Sequence, residues 1–123
     1  MTREKLIPDA SHPITVTPTP GRVQVVAHGS VIAESTSSLT LQESTYPAVQ
    51  YVPIADIDPT LLARTDTSTY CPFKGDASYF SLTTPDGTIT DAGWTYDEAY
   101  DAVAEIKDHI AFYPDKVTVT VEQ

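Results

Sequence analysis

The sequence predicts an α+β domain that is mainly β, with two small antiparallel sheets and one α-helix packed on a sheet. Most apolar residues occur in short β-branched runs that alternate with polar residues, which is the period of a strand. One later stretch repeats its apolar residues at spacings of three and four, the period of a helix that rests one face on a sheet. The length of 123 residues is that of a single domain.

We expect that domain to occupy residues 14–123, preceded by a flexible N-terminal segment over residues 1–13, which is polar and contains two prolines. Three β-branched runs separated by small turn residues then predict a β-meander. They are residues 22–28, 31–35 and 38–43. In the third run, Leu39 and Leu41 share one face of the strand.

Three prolines between residues 47 and 59 interrupt the strands, because each removes a backbone donor from a β-ladder. One helical turn is predicted near residues 55–62, with Asp56 or Asp58 as its cap. Strands resume at residues 67–71 and 77–83. A Pro-Asp-Gly turn leads the second of these into a strand at 88–90, and a final strand is predicted at 116–121.

The helix is predicted between Thr95 and Tyr113, before Pro114. Thr95 and Glu98 have the spacing of a capping box. Its apolar stripe consists of Ala99, Val103, Ile106 and Ile110. Three acidic residues line the opposite side: Asp101, Glu105 and Asp108.

The chain is strongly acidic, with 17 Asp and Glu residues against 7 Lys and Arg residues and a formal net charge of −10. Such a charge repels phosphate backbones and anionic lipids, so we expect neither nucleic acid nor membrane as a partner. The single cysteine and the absence of an apolar leader predict a cytoplasmic protein. One cysteine and three scattered histidines offer no usual zinc spacing, so no metal and no other cofactor is expected.

The stretch TYCPFKGDASYF, residues 69–80, carries the strongest functional candidates. Cys71 could act as a nucleophile activated by Lys74, since a nearby cation lowers the pKa of a thiol. It could equally be a small buried residue at a strand end, and no motif joins it to a histidine. Lys74 and Gly75 could bind a ligand or only close a turn.

Aromatic residues near this stretch indicate a pocket. Tyr79 is flanked on its strand face by small residues, and Trp94 and Tyr96 follow within 17 residues. If the two segments are neighbours, these rings and Lys74 could line a ligand-binding concavity. Alternatively, Trp94 and Tyr96 only anchor the helix.

Four stretches of the chain resemble the bacterial family known as domain of unknown function 427, sometimes labelled nucleotidyltransferase-like. They are HPITVTPTPGRVQVVAHGSVIAEST, YPAVQYVPIADID, TDTSTYCPFKGDASYFSL and GWTYDEAYDAVAEIKDHIAFYPDKV. The resemblance implies a β-tent fold, in which two antiparallel sheets lean together over a shared core and leave an open cleft. Relatives of that group bind small ligands in aromatic-lined sites or carry a redox cysteine.

The residues that match the family pattern are Tyr46, Tyr51, Pro53, Lys74, Gly75, Tyr79, Trp94 and Tyr96. The chain departs from the pattern at Ile54, where many relatives have arginine, and at Ala99, where they have proline. If that arginine helps relatives to hold an anion, this chain holds one less well. The chain also lacks a Gly-Ser pair followed by spaced carboxylates, which a nucleotidyltransferase uses to hold two metal ions.

These observations together predict binding of a small organic ligand in an aromatic-lined cleft formed by Tyr79, Trp94 and Tyr96, with Lys74 and Gly75. Two alternatives stay open: an enzyme that uses Cys71 as a thiol nucleophile or redox centre, and a protein-interaction module that uses the acidic helix face. A weak homodimer also stays open as a partner.

Overall fold

The computed structural model describes residues 4–123, and ten strands in this part of the chain form two antiparallel sheets. They are β1 (Ile14–Pro18), β2 (Arg22–Ala27), β3 (Ser30–Ser35), β4 (Leu39–Glu43), β5 (Val49–Pro53), β6 (Leu62–Cys71), β7 (Gly75–Thr84), β8 (Gly87–Thr95), β9 (His109–Phe112) and β10 (Thr118–Glu122). The large sheet has the order β1-β4-β5-β9-β8-β7-β6, and the small sheet has the order β10-β2-β3. The predicted mainly β architecture with two antiparallel sheets is therefore confirmed.

Two hydrophobic cores lie on opposite faces of the large sheet. The first core fills the space between the sheets, where Val23 and Val25 of β2 meet Leu82 of β7 and Ile110 of β9. The second core lies on the other face. It is formed by Leu41, Tyr51, Ala77, Tyr79, Tyr96, Val103, Ile106 and Ala111. Alternation along the strands produces this division, since neighbouring strand residues point to opposite faces.

The predicted meander is correct only for its first hairpin. β2 pairs with β3, but β4 leaves the small sheet and pairs with β1 and β5. Leu41 of β4 thereby enters the second core beside Tyr51, instead of the core between the sheets. The alternation within β4 is the same in either sheet, so it could not reveal which strand would be its neighbour.

The predicted α-helix between Thr95 and Tyr113 is wrong. Thr95 ends β8, and its hydroxyl donates a hydrogen bond to the backbone oxygen of His109. A 3-10 segment, Asp101–Ile106, follows and is kinked at Val103. The chain then turns at Asp108, which has a φ of 64°, and continues as β9.

Tertiary packing explains this difference. Val103 and Ile106 of the apolar stripe are buried in the second core, but Ile110 and Phe112 alternate with Ala111 and enter the first core. A helix would place Ile110 above Ile106 on one face, whereas the strand sends them to opposite sides of the large sheet. The period of two in the sequence His-Ile-Ala-Phe thus prevails over the helical spacing.

The segment between β5 and β6 forms two 3-10 turns, Ile54–Asp56 and Pro59–Leu61. Asp58 caps the second turn, since its side chain accepts a hydrogen bond from the backbone of Thr60 at 2.9 Å. Asp56 instead accepts a hydrogen bond from the Ser35 hydroxyl at 2.6 Å. The predicted helical turn is confirmed, with Asp58 as its cap. Within residues 4–123, no helix has the length and apolar character needed to cross a bilayer.

Candidate functional site

A pocket of about 170 Å³ lies over the second core, on the face of the large sheet that is turned away from the small sheet. Six aromatic side chains line it: Tyr46, Tyr51, Tyr79, Trp94, Tyr96 and Tyr113. The remaining lining consists of Leu41, Pro47, Val49 and the charged pair Glu43 and Lys74. The β-tent resemblance implied a cleft between the two sheets. The pocket does not lie there, because the first core fills that space.

Short strand β9 makes room for this concavity. It is joined to β5 by the pairs Val52–Ile110 and Pro53–His109, and to β8 by Gly93–Phe112 and Trp94–Ala111. Ala111 is its one residue in the second core, and its small side chain allows Trp94 of β8 to reach Tyr51 of β5. The indole Nε1 of Trp94 donates a hydrogen bond to the Tyr51 hydroxyl at 3.2 Å.

Four of the five ligand-binding residues predicted from the sequence line this pocket: Lys74, Tyr79, Trp94 and Tyr96. Tyr79 and Trp94 are direct cross-strand partners in the β7–β8 ladder, so the expected proximity of these two segments is confirmed. Their neighbour Tyr113 lies 4.7 Å from Trp94 between ring centroids. The rings thus form a continuous aromatic wall.

Gly75 does not line the pocket, and its position supports the turn interpretation. It follows the turn that the backbone hydrogen bond from Lys74 to Cys71, at 3.1 Å, closes. Its φ is +112°, a conformation that side chains rarely adopt, and a Cβ atom would lie 3.3 Å from the backbone oxygen of Glu98. Gly75 therefore shapes the turn that presents Lys74.

Lys74 is held by an ion pair that the sequence analysis missed. Its Nζ donates to Oε1 of Glu43 at 2.6 Å, and the two side chains are only 11% and 17% exposed. The positive charge expected from Lys74 is therefore balanced inside the pocket. Glu43 lies two residues after Leu41 on β4, so the alternation that turns Leu41 inward also turns Glu43 inward. A carboxylate at an inward position was the signal that could have revealed it.

His12 completes this polar corner. Its Nε2 lies 2.8 Å from Oε2 of Glu43, and its ring stacks on Phe73 at a centroid distance of 4.3 Å. The backbone N–H of Leu6 also donates to the oxygen of Pro72 at 2.9 Å. Residues of the N-terminal segment thus contact the turn that carries Lys74. The flexibility predicted for residues 1–13 stays a prediction, and residues 1–3 lie outside the described part of the chain.

The protonation of Glu43 couples this corner to stability. Burial alone would raise the pKa of Glu43, but hydrogen bonds from Lys74 and His12 together bring it below its ordinary value of 4.5. A carboxyl group with a lower pKa in the folded chain stabilises the fold above its unfolded-state pKa, and this contribution disappears as the pH falls through the folded-state pKa.

We therefore expect the destabilisation caused by Glu43→Gln to depend on pH. The difference in unfolding free energy between wild type and the variant should be full at pH 7 and should shrink progressively below about pH 4.5. Urea unfolding of both proteins across this pH range measures the difference. A difference that stays constant down to pH 3 would show that the charge of Glu43 does not stabilise the fold.

The phenol groups of Tyr51, Tyr96 and Tyr113 keep their protons at neutral pH, because the pKa of each is raised. Burial raises the pKa of Tyr51 and of Tyr96 well above the ordinary value. Burial, followed by the hydrogen bond to Tyr79, raises the pKa of Tyr113 to about 12. Tyr113 donates to the Tyr79 hydroxyl at 3.3 Å, and Tyr79 also contacts the Thr69 hydroxyl at 3.0 Å.

Cys71 packs beside the second core but does not line the pocket, and it is half-buried. The three histidines make their hydrogen bonds to other groups: His12 to Glu43, His28 to Thr84 and His109 to Lys107. None of these hydrogen bonds joins a histidine to Cys71, so they do not provide the histidine partner that activates a cysteine nucleophile.

The other predicted surface consists of the exposed acidic residues Asp101, Glu105 and Asp108, which lie on and just after the 3-10 segment and not on a helix face. Within residues 4–123, no group of three or more histidine, cysteine or acidic side chains has the arrangement to hold a metal ion.

Fold and site together define a mainly β domain with an aromatic pocket built on one face of its larger sheet. The chain belongs to the family described as Domain of unknown function (DUF427), whose model matches residues 15–123. This confirms the family that the sequence motifs indicated. The comparison with curated proteins returns no match.

Proposed function

We propose that this domain binds a compact organic molecule, about the size of a single ring, in the aromatic pocket. The observation that supports the proposal most strongly is the convergence of six aromatic side chains and a shielded ion pair on one concavity. Ligand sites are typically concave, largely apolar and supplied with a few fixed polar groups.

The volume limits the size of the ligand. A drug-sized ligand site occupies about 300–1,000 Å³, whereas an apolar cavity of about 150 Å³ accommodates benzene. The present pocket, at about 170 Å³, is close to the second value. A molecule with one ring and a short substituent suits such a space.

The rings would hold the ligand in a fixed orientation. Trp94 is fixed by its hydrogen bond to Tyr51, and Tyr113 by its hydrogen bond to Tyr79. Because these groups are already ordered, binding immobilises few side chains and costs little conformational entropy. Tyr46, which is 60% exposed, stands at the rim where a ligand could enter.

The proposal is tested by titrating the protein with a panel of single-ring compounds while recording the indole N–H resonance in a ¹H–¹⁵N spectrum. Trp94 is the only tryptophan of the chain and lines the pocket, so its resonance is easily assigned; it also borders a neighbouring concavity formed with Phe112 and Val121. We expect saturable shifts for some members of the panel.

A pocket-filling variant provides the specificity control. Val49 lines the pocket and is half-buried, so Val49→Phe should fill the space and abolish the shifts while the domain still folds. The same change at exposed Val121, which lines only the neighbouring concavity, should leave them intact. An indole resonance that no compound moves, or equal binding by Val49→Phe, would refute the proposal.

A further inference from the structure

Two buried tyrosines of the pocket, Tyr51 and Tyr96, each have a hydroxyl proton to donate and no acceptor for it among the described residues. Tyr51 is only 2% exposed. Its oxygen accepts the hydrogen bond from the Trp94 indole, but no described residue accepts the proton of its own hydroxyl. A buried donor without a partner costs free energy, and a bound ligand can supply the missing acceptor.

Tyr96 presents the same situation more strongly. Its side chain is 6% exposed, and within residues 4–123 its hydroxyl has no hydrogen-bond partner at all. The hydroxyl is nevertheless not sealed inside the protein. In the described part of the chain, Ser38 Oγ is the one fully enclosed side-chain polar atom that lacks a partner. The Tyr96 hydroxyl therefore keeps accessible surface, and the residue lines the pocket.

The other polar groups of the pocket do not satisfy these donors. Tyr113 donates to the Tyr79 hydroxyl, and Tyr79 also shares a hydrogen bond with the Thr69 hydroxyl. Both oxygens of Glu43 are engaged, one by Lys74 and one by His12. Lys74 uses only one of its three N–H groups in the bond to Glu43. The hydroxyls of Tyr51 and Tyr96 and two N–H groups of Lys74 are thus donors for which no described side chain serves as the acceptor.

Charge selects among the acceptors that a ligand could offer. A carboxylate placed here would meet a lysine whose charge Glu43 already balances, in a chain whose net charge is −10. An anion that loses its hydration shell here would find no uncompensated cation to replace it. A neutral carbonyl oxygen accepts two hydrogen bonds and needs no such cation.

We infer that the ligand is an uncharged planar ring compound bearing a carbonyl oxygen, which accepts hydrogen bonds from the hydroxyls of Tyr51 and Tyr96. This inference rests on the proposed function and specifies the chemical class of its ligand. The aromatic wall contacts the faces and edges of the ring, and the two phenols select the oxygen.

Three probes with closely similar skeletons test the inference: acetophenone, α-methylstyrene and benzoate. The second replaces the carbonyl oxygen by a methylene group, and the third carries a negative charge. Titration of the Trp94 indole resonance should show acetophenone binding about tenfold or more tightly than α-methylstyrene, and also more tightly than benzoate. Two hydrogen bonds worth about 1 kcal/mol each account for such a ratio.

Substitution of the donors gives the second arm. Tyr96→Phe should weaken acetophenone binding about three- to tenfold and leave α-methylstyrene within about twofold of its wild-type affinity. Tyr51→Phe also removes the acceptor of the Trp94 indole, so it should weaken the binding of both compounds, and that of acetophenone more. Tyr100→Phe, which removes a hydroxyl outside this pocket, is the matched control. A thermal unfolding curve for each variant checks that it is folded.

The outcomes separate this inference from the proposed function. Equal binding of acetophenone and α-methylstyrene would mean that the pocket binds rings but that the phenols do not select the ligand. The same conclusion would follow if neither phenylalanine variant weakens acetophenone binding more than α-methylstyrene binding. Tightest binding of benzoate would show that charge decides instead. If none of the probes or single-ring compounds binds, both proposals fail.

Discussion

Glu43→Gln is expected to lower the free energy of unfolding by about 3 kcal/mol at neutral pH, because it removes the counter-charge of a shielded lysine. The side chain of Lys74 is 11% exposed, and Glu43 Oε1 is the one side-chain acceptor that its ammonium contacts in residues 4–123. Without the carboxylate, the ammonium must stay partly desolvated or move out of the pocket. Urea unfolding, followed by circular dichroism, measures the loss.

The double variant Glu43→Gln with Lys74→Met distinguishes this explanation from a simple packing defect. Removing both charges leaves no unpaired ion, so it should recover most of the stability that the single substitution loses. Glu122→Gln provides a control on an exposed pair, since Glu122 and its partner Arg22 are 50% and 44% exposed. Its cost should be far smaller, because solvent screens this pair. A double variant as unstable as Glu43→Gln alone would refute the charge argument.

The ion pair also explains why a lysine can lie in an aromatic pocket of an acidic protein. The turn before β7 brings Lys74 to the pocket, and the hydrogen bond from Tyr100 N–H to the Lys74 oxygen, at 3.0 Å, fixes its backbone. Glu43 reaches it from β4, and strands β5, β9 and β8 lie between β4 and β7 in the sheet. The interaction therefore connects the two edges of the concavity, and we expect it to stabilise the shape of the pocket.

Much of the site could be predicted because its signals were local. Tyr79 and Trp94 lie on strands joined by a Pro-Asp-Gly hairpin, and that hairpin was predicted from its turn residues. Its second strand was expected to end at residue 90, however, and the register shift between Phe80 and Leu82 that pairs Tyr79 with Trp94 was not predicted. The position of Lys74 could be predicted because it lies in the turn between β6 and β7. These contacts depend on residues close together in the chain, which patterns of alternation and turn residues describe well.

The parts that could not be predicted depend on contacts between distant residues. Glu43 and Lys74 are 31 residues apart, and so are His12 and Glu43. The position of Ile110 in the first core, rather than on a helix, depends on strands from the first half of the chain. Spacing alone could not decide between helix and strand there, because the residues Ala99 to Ile110 fit a helical stripe until tertiary packing is known.

Gly93→Ala is expected to destabilise the domain by about 3 kcal/mol and to disturb the pocket at the same time. A Cβ atom at this position would lie 2.6 Å from the backbone oxygen of Ala111 and 3.0 Å from Cδ1 of Phe112. The backbone oxygen belongs to the adjacent strand β9 and cannot rotate away, so the two strands must separate. Overpacking of this kind costs about 1–3 kcal/mol and sometimes more. Urea unfolding measures the loss of stability.

The position of Gly93 connects this cost to the site. Its neighbour Trp94 pairs with Ala111, so separation of β8 from β9 should also displace the indole from Tyr51 and shift its N–H resonance. Gly29→Ala is the matched control, since a Cβ atom there meets nothing within 4 Å and only the φ of +78° opposes the change. That strain costs about 1 kcal/mol and should leave the indole resonance unmoved. Equal losses of stability at the two glycines would contradict this argument. They would mean that the close approach of β8 and β9 does not limit the size of the side chain at position 93, and that the short strand β9 tolerates more displacement than its contacts indicate.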